Sequence, residues 1–244
     1  LPLINNISVN FLKIKNFNYS YNIIQTRLNE HNLKYKSLIK DNLLNEKINF
    51  KKSIKLNNLS FKYKKNYKYI FKNLNLEIKK KEMIGIIGES GSGKSTLLKI
   101  IMGIIKPNKG KIFLDKKKIN NNDLFRLQNL IGFLPQENIL INGSLKENIA
   151  FGEVKIDSKL VKKSVAKANC ATFINKLKNK LDHNISEHGK NFSVGQLQRI
   201  GLARMIYFDN EIFFFDEPTS ALDIKSQIKF VNLLKKFKNK KTIV

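Results

Sequence analysis

Residues 88–95 read Gly-Glu-Ser-Gly-Ser-Gly-Lys-Ser, with three glycines and three serines around one lysine. The fixed positions follow the G-x-x-x-x-G-K-S spacing of a loop that wraps a phosphate chain. Glycines let the backbone turn without Cβ clashes, so that successive N–H groups point inward at an anion. Residues 83–87 read as a short buried strand and residues 96–102 as a helix. Strand, glycine loop and helix N-terminus together favour negative charge, where a chance Lys-Ser after a turn would not. Gly88, Glu89, Ser90, Gly91, Ser92, Gly93, Lys94, Ser95 and Thr96 are the predicted nucleotide contacts. Lys94 is placed to reach the β- and γ-phosphates, and the Ser95 hydroxyl to sit on Mg²⁺.

A second cluster stands at the end of Glu211-Ile212-Phe213-Phe214-Phe215-Asp216-Glu217. An apolar strand of this kind belongs inside a parallel sheet, and its C-terminal tip delivers Asp216 beside the phosphate loop. Asp216 is suited to Mg²⁺, held mostly through water. Glu217, pointing away by strand alternation, is suited to act as general base on a water attacking the γ-phosphate. A strand that merely ends in a polar turn would look the same without the loop upstream.

The elements that must position these groups begin near Ser53. Residues 54–63 and 74–78 alternate like half-buried strands, 107–110 reads as a turn, and 111–115 as the strand after it. Residues 131–134 are a further strand, and 144–180 are largely helical in pattern. Strands alternating with helices imply a mostly parallel sheet with ligand at the strand C-termini. Residues 1–45 differ: Ile7, Phe11, Ile14, Tyr21, Ile24 and Leu28 form one apolar stripe on a helix, followed by a linker at 42–52.

Several separate runs now agree. The chain resembles the ATP-binding cassette (ABC) ATPases from about residue 53 to its end. Phe192-Ser193-Val194-Gly195-Gln196 looks like that family's signature, and Asp216 to Asp223 is similar to its Walker B and D-loop run. Gln136 matches the Q-loop glutamine, and Tyr63 the aromatic residue that stacks on adenine. Each short match is weak alone; five in order are specific. The resemblance implies a P-loop NTPase (RecA-like) α/β core with a mostly parallel sheet, an antiparallel β subdomain, and a helical subdomain at about 138–205. It implies ATP and Mg²⁺ as cofactors, with Lys94, Gln136 and Glu217 catalytic and Ser95, Gln136 and Asp216 around the metal. Ser193, Gly195 and Gln196, at the start of a predicted helix, and Asp223 would serve the nucleotide of an opposite protomer, so that two copies sandwich two ATPs. A core tyrosine is the alternative reading of Tyr63.

Two positions depart from the pattern. Val194 replaces a glycine, and a β-branched residue forbids positive φ. Some active exporters carry Val there, and Gly195 is retained, so function is expected to survive. The family's switch histidine has no counterpart, because His31, His183 and His188 all precede Asp216. A chain that starts at Leu1 and stops at Val244 in an apparent strand reads as a segment truncated at both ends, with the histidine just beyond.

Asn142-Gly143-Ser144-Leu145-Lys146-Glu147-Asn148-Ile149 resembles the exporter run that meets the transmembrane coupling helices, and Glu187-His188-Gly189 resembles the exporter X-loop. Residues 1–45 resemble the cytoplasmic end of an exporter's last membrane helix. The chain is also similar to lipid-linked oligosaccharide flippases and lipid exporters. Expected partners are a transmembrane domain of the same polypeptide and a second nucleotide-binding domain, a homodimer, at the cytoplasmic face of the inner membrane. A stand-alone importer ATPase subunit is a second reading. A nucleic-acid-associated ABC protein is a third, motivated by a net charge of +27. Only four of the 46 basic residues are arginine, so no nucleic acid is expected. The lysines fit solvated surface drift, or attraction to an anionic leaflet. No run approaches the roughly 20 apolar residues that cross a bilayer. The lone Cys170 excludes an internal disulfide and fits a reducing compartment.

Overall fold

Phe213 and Phe214, neighbours in sequence, are both completely buried, yet in different cores. The computed structural model describes residues 21–22, 24–28, 48–64, 66–185 and 189–244. The chain divides into Leu1–Lys47 and Ile48–Val244. In the first unit, residues 21–22 and 24–28 are helical (α1), with Thr26 Oγ1 donating to the Asn22 carbonyl at 2.8 Å. Tyr21, Ile24 and Leu28 of the predicted stripe are exposed, and Ile7, Phe11 and Ile14 lie outside the described residues.

The second unit opens with a correction. Residues 48–52 are not a free linker. Phe50 is buried, Lys80 Nζ sits over its ring and donates to its carbonyl, and the same ammonium pairs with Glu211 Oε2 at 2.7 Å. The Asp115 carboxylate accepts the N–H groups of Lys51, Lys52 and Ser53 at 2.9, 2.6 and 3.0 Å. The chain is therefore pinned as it enters the sheet.

β1 (Ser53–Phe61) pairs antiparallel with β2 (Phe71–Lys79) and β3 (Lys109–Leu114), and β4 (Lys117–Lys118) completes the order β2-β1-β3-β4. β2 alternates as expected, with Leu74, Leu76 and Ile78 inward. β1 does not: its register shifts between Leu56 and Leu59, where Asn58 takes a φ of 48°. The bulge exposes Asn57 and Asn58 together and returns Leu59 to the core. It also leaves a gap that only glycine fits. Gly110 has a φ of 94°, and a Cβ there would lie 2.6 Å from Leu59 Cα and 2.7 Å from the Asn57 carbonyl oxygen. The predicted turn at 107–110 thus ends inside β3.

The second sheet is parallel, in the order β5 (Ile131–Leu134), β8 (Ile212–Phe215), β9 (Thr242–Ile243). The predicted strand at 83–87 shrinks to a single bridge between Met83 and Ile243, and Ile87 is 98% exposed. Strand character needs a partner. The Ile84 N–H donates to the Ile243 carbonyl, and Ile243 N–H to the Glu82 carbonyl, each at 2.8 Å, which exhausts β9.

Four-residue β8 is buried throughout and has a different core on each face. Ile212 and Phe214 pack with β1 and with α2 (Lys94–Ile101), through Leu97, Ile100 and Ile101. Phe213 and Phe215 pack with α7 (Val194–Tyr207) and α8 (Ile224–Lys235). α3 (Leu124–Asn129) leads into β5, and β6 (Gly143–Ser144) pairs with β7 (Asn184–Ile185). The helical stretch at 144–180 is broken into α4 (Leu145–Ile149), α5 (Ser158–Lys167) and α6 (Ala171–Ile174). Gly152 at φ 92° and Asn169 at φ 55° stand in the breaks.

Replacing Gly110 with Ala should lower stability by about 2–4 kcal/mol, combining backbone strain with a clash against backbone atoms. Denaturant titration measures this; an unchanged midpoint would contradict the bulge geometry.

Candidate active site

The phosphate loop has the backbone its glycines permit. Gly91 and Gly93 have φ values of 80° and 98°. Gly93 is the N-cap of α2, with no side-chain cap and no acid in the first turn, so the first N–H groups of the helix remain open to an anion. A Cβ at Gly93 would lie 2.5 Å from Ile70 Cγ2, which ties the loop closely to the antiparallel sheet.

The side chains fall into three hydrogen-bonded or ion-paired groups. Lys94 Nζ donates to the Gly88 and Glu89 carbonyls, both at 3.0 Å, and pairs with Glu217 Oε1 at 3.3 Å. Ser95 Oγ donates to Asp216 Oδ1 at 2.8 Å. Gln136 Nε2 donates to Glu217 Oε2 at 3.3 Å. The Tyr63 hydroxyl and Thr96 Oγ1 are 2.9 Å apart. Tyr63 meets Phe61 edge-on at 5.0 Å and is 57% exposed, which excludes the core-tyrosine reading. Ser90 is exposed, and the Ser92 N–H closes the loop on the Glu89 carbonyl at 3.2 Å. A cavity of about 260 Å³ opens beside Lys94, Asp216 and Glu217.

Asp216 and Glu217 arrive there for different reasons. The Asp216 N–H still bonds to the Leu134 carbonyl at 3.0 Å, so this residue remains on the β5–β8 ladder and is buried. Glu217 has left the strand. Its φ of 49° puts it in the left-handed region, so a turn aims its carboxylate, where strand alternation was expected to do so. The Ser220 N–H and Oγ hold that turn by donating to the Glu217 carbonyl at 3.2 and 3.0 Å.

Ser193 is the N-cap of α7, as its predicted place at a helix start requires. Its Oγ accepts from the Gln196 N–H at 3.3 Å, and Gln196 Oε1 accepts from the Ser193 N–H at 2.8 Å. The hydroxyl hydrogen of Ser193 remains for another acceptor. Val194 is the first helical residue, has no positive φ and is 41% exposed. Its β-branch therefore meets no backbone conflict. A Cβ on Gly195 would only touch Leu222, at 3.4 Å. Asp223 is exposed and caps α8 by accepting from the Ser226 N–H at 3.0 Å. The Ser226 hydroxyl first, and then that N–H, hold its carboxyl below the usual aspartate range.

Among the described residues, no hydrogen bond or ion pair joins Ser193, Gly195, Gln196 or Asp223 to the Lys94–Glu217 cluster. Glu187 and His188 lie outside the described residues. No group of three or more His, Cys, Asp or Glu is placed for a metal among the described residues. Ser95 Oγ beside Asp216 is instead a sparse oxygen pair, of the kind Mg²⁺ completes with water and phosphate. Sequence reasoning missed Asn138, Asn148 and Arg204. Asn138 Nδ2 donates to the Leu197 carbonyl, and Arg204 Nε donates to the Asn148 carbonyl at 2.8 Å. Asn148 follows Lys146 and Glu147 in α4, so one more polar residue there gave no signal in the sequence.

The family model described as ABC transporter matches residues 71–220. Leukotoxin translocation ATP-binding protein LktB of Mannheimia glucosida is 37% identical over 191 residues, covering 78% of this chain and 27% of that protein. ABC transporter B family member 21 of Arabidopsis thaliana is 38% identical over 175 residues, covering 71% of this chain and 14% of that protein. The structure of a bacterial Atm1-family ABC exporter with ATP bound aligns with a TM-score of 0.73 at 27% identity, covering 81% of this chain and 35% of that one.

Lys94→Ala should weaken magnesium–nucleoside triphosphate binding by about 10-fold or more, since a charge-assisted contact contributes about 1.5–3 kcal/mol. Calorimetry reads this directly, and equal affinity of variant and parent would overturn the role of the lysine.

Proposed function

The chain belongs to the ABC transporter family, and from that premise we propose that it is the ATP-hydrolysing motor of an exporter, working as a head-to-tail pair. The observation that carries this reading is the Lys94–Glu217–Gln136 set, with the Ser95–Asp216 pair on the adjoining residues at the end of β8. Each contact is one that a triphosphate would exchange. Phosphate oxygens compete with Glu217 for the Lys94 ammonium. Once released, Glu217 keeps Gln136 as a neighbour and is free to take a proton from an attacking water. Lys94 and the N–H groups at the start of α2 neutralise the phosphate charge as it shifts. Mg²⁺, when bound, would be held by Ser95, Asp216 and the Gln136 amide, and would neutralise β- and γ-phosphate charge. The exposed ring of Tyr63 offers a face for adenine.

The signature helix supports the two-copy reading. Ser193 presents a hydroxyl hydrogen and open N–H groups at a helix N-terminus, an anion site that no described residue of its own protomer fills. A second copy's γ-phosphate fits that chemistry, and Asp223 is exposed next to Leu222, the residue a Cβ on Gly195 would touch. Each protomer would then complete the other's site.

The chain spans 27% of LktB, so the transport activity is proposed for the larger assembly. No helix among the described residues is long and apolar enough to cross a membrane. Ile139, Ile141 and Phe151 are exposed along the stretch after Gln136, a surface suited to an apolar segment of a membrane domain. That placement favours an exporter at the cytoplasmic face of a membrane over a soluble nucleic-acid-associated ATPase.

Glu217→Gln should retain ATP binding and lower turnover by roughly 10²–10⁴-fold, the usual contribution of a general base. Phosphate release in the intact transporter tests this, and unchanged steady-state hydrolysis would remove Glu217 from the mechanism. The same variant should pair in solution when ATP is added, as light scattering would show.

A further inference from the structure

The signature helix is gripped at two points by the stretch that follows Gln136. Near its start, the Leu197 carbonyl accepts from Asn138 Nδ2. Near its end, Arg204 Nε donates to the Asn148 carbonyl at 2.8 Å, and the guanidinium carbon lies 5.7 Å from the centre of the Phe151 ring. Asn148 is itself completely buried. Its Oδ1 accepts from the Ile141 N–H at 2.9 Å, and its Nδ2 donates to the Ile141 and Ser144 carbonyls at 3.0 and 3.1 Å. The Ser144–Glu147 cap fixes the start of α4 in the same place. Leu140, Leu145, Ile149 and Ala203, all fully buried, surround the link with apolar packing.

The choice of arginine needs an explanation. Arg204 is half-buried, and burial pulls its guanidinium below the usual arginine pKa. Among the described residues no carboxylate pairs with it. A neutral side chain would fill the space without the desolvation penalty of a charge. What an arginine adds is a directed donor to the Asn148 carbonyl and a flat cation on the Phe151 ring.

We propose that Arg204 is a positioning residue, which fixes the signature helix to the stretch from Ile139 to Phe151 through the Asn148 carbonyl and the Phe151 ring. Displacement of Ile139, Ile141 or Phe151 by a partner then moves the Ser193 end of α7 together with the segment that carries Gln136. This rests on the reading that Ser193 acts on a second copy's nucleotide. Arg204 touches no nucleotide. It determines where the serine stands when the two copies meet.

The test compares Arg204→Met, Arg204→Lys and Phe151→Ala in the ATP-hydrolysing protein. Arg204→Met should keep nucleotide affinity within about twofold while kcat falls on the order of 10-fold, because misplacement acts on the assembled site and spares the phosphate loop. Arg204→Lys should recover most of that loss. Phe151→Ala should show a smaller fall, and amide exchange should quicken together at residues 139–142 and 194–198 in both the Met and Ala variants. A folded Arg204→Met protein with wild-type kcat would overturn the proposal. So would a Lys variant as impaired as Met, or affinity and kcat falling together with the melting temperature. If Arg204→Met does not fold, Phe151→Ala decides: unchanged kcat and exchange would overturn the link. A wild-type protein that binds ATP but never pairs would sink the two-copy reading, and the exchange experiment would still decide whether α7 and residues 139–142 move as one.

Discussion

Burial of β8 on both faces is the constraint that orders the molecule. Ile212 and Phe214 belong to the core of the phosphate loop and antiparallel sheet, while Phe213 and Phe215 belong to the core of the helices. Each fully buried side chain of this size contributes about 1.5–3 kcal/mol, and none can move without opening a cavity in one core or crowding the other. The strand therefore has no freedom to slide. Its ladder with β5 runs on into Asp216, so this carboxylate inherits the rigidity of the sheet. A one-residue slip would exchange the two cores' side chains as well as move the acid, which is why the register is so strongly held.

Electrostatics in the site are looser by comparison. The Lys94–Glu217 pair is partly exposed, and such pairs contribute on the order of 0–1 kcal/mol. Two carbonyls and one carboxylate share the lysine, and none forms a bidentate pair with it. On the proposed reading a triphosphate, with several anionic oxygens and the N–H groups of α2 to hold them, would win that exchange. Glu217 pays for its aim with a left-handed φ, about 1–2 kcal/mol for a residue other than glycine. The rigid strand and the strained turn thus divide the work: Asp216 is fixed by packing, and Glu217 is held where a change of partner can release it.

What could be read from residue order was what depends on near neighbours. The phosphate loop, the apolar β8 and the cap at Ser193 are all local: each needs only a few consecutive residues of the right type. The misses share the opposite property. Residues 83–87 have strand composition, but pairing with β9 reaches only Ile84. The run at 54–63 alternates in composition, but Asn58 takes a positive φ and shifts the rest, helped by Asn75 Oδ1, which accepts its N–H at 2.8 Å. Residues 144–180 lack proline, so the helix pattern reads as continuous, yet Gly152 and Asn169 break it. Asn148 and Arg204, 56 residues apart, carry no motif at all, because a side chain bonding a distant backbone carbonyl leaves no trace in spacing.

The signature run shows how a departure from a family pattern can be neutral locally. Ser193 and Gln196 satisfy each other in a reciprocal cap that uses the serine as an acceptor and leaves its hydrogen free. Val194 follows the cap as the first helical residue, where φ is negative for any residue type, and its side chain projects to solvent. A glycine there would add conformational entropy to the unfolded chain and nothing to the cap. The motif is thus shaped within one protomer before any partner arrives. On the two-copy reading, what is left to determine is the direction in which α7 carries the motif, and the Asn138 and Arg204 contacts hold the flanks of that helix.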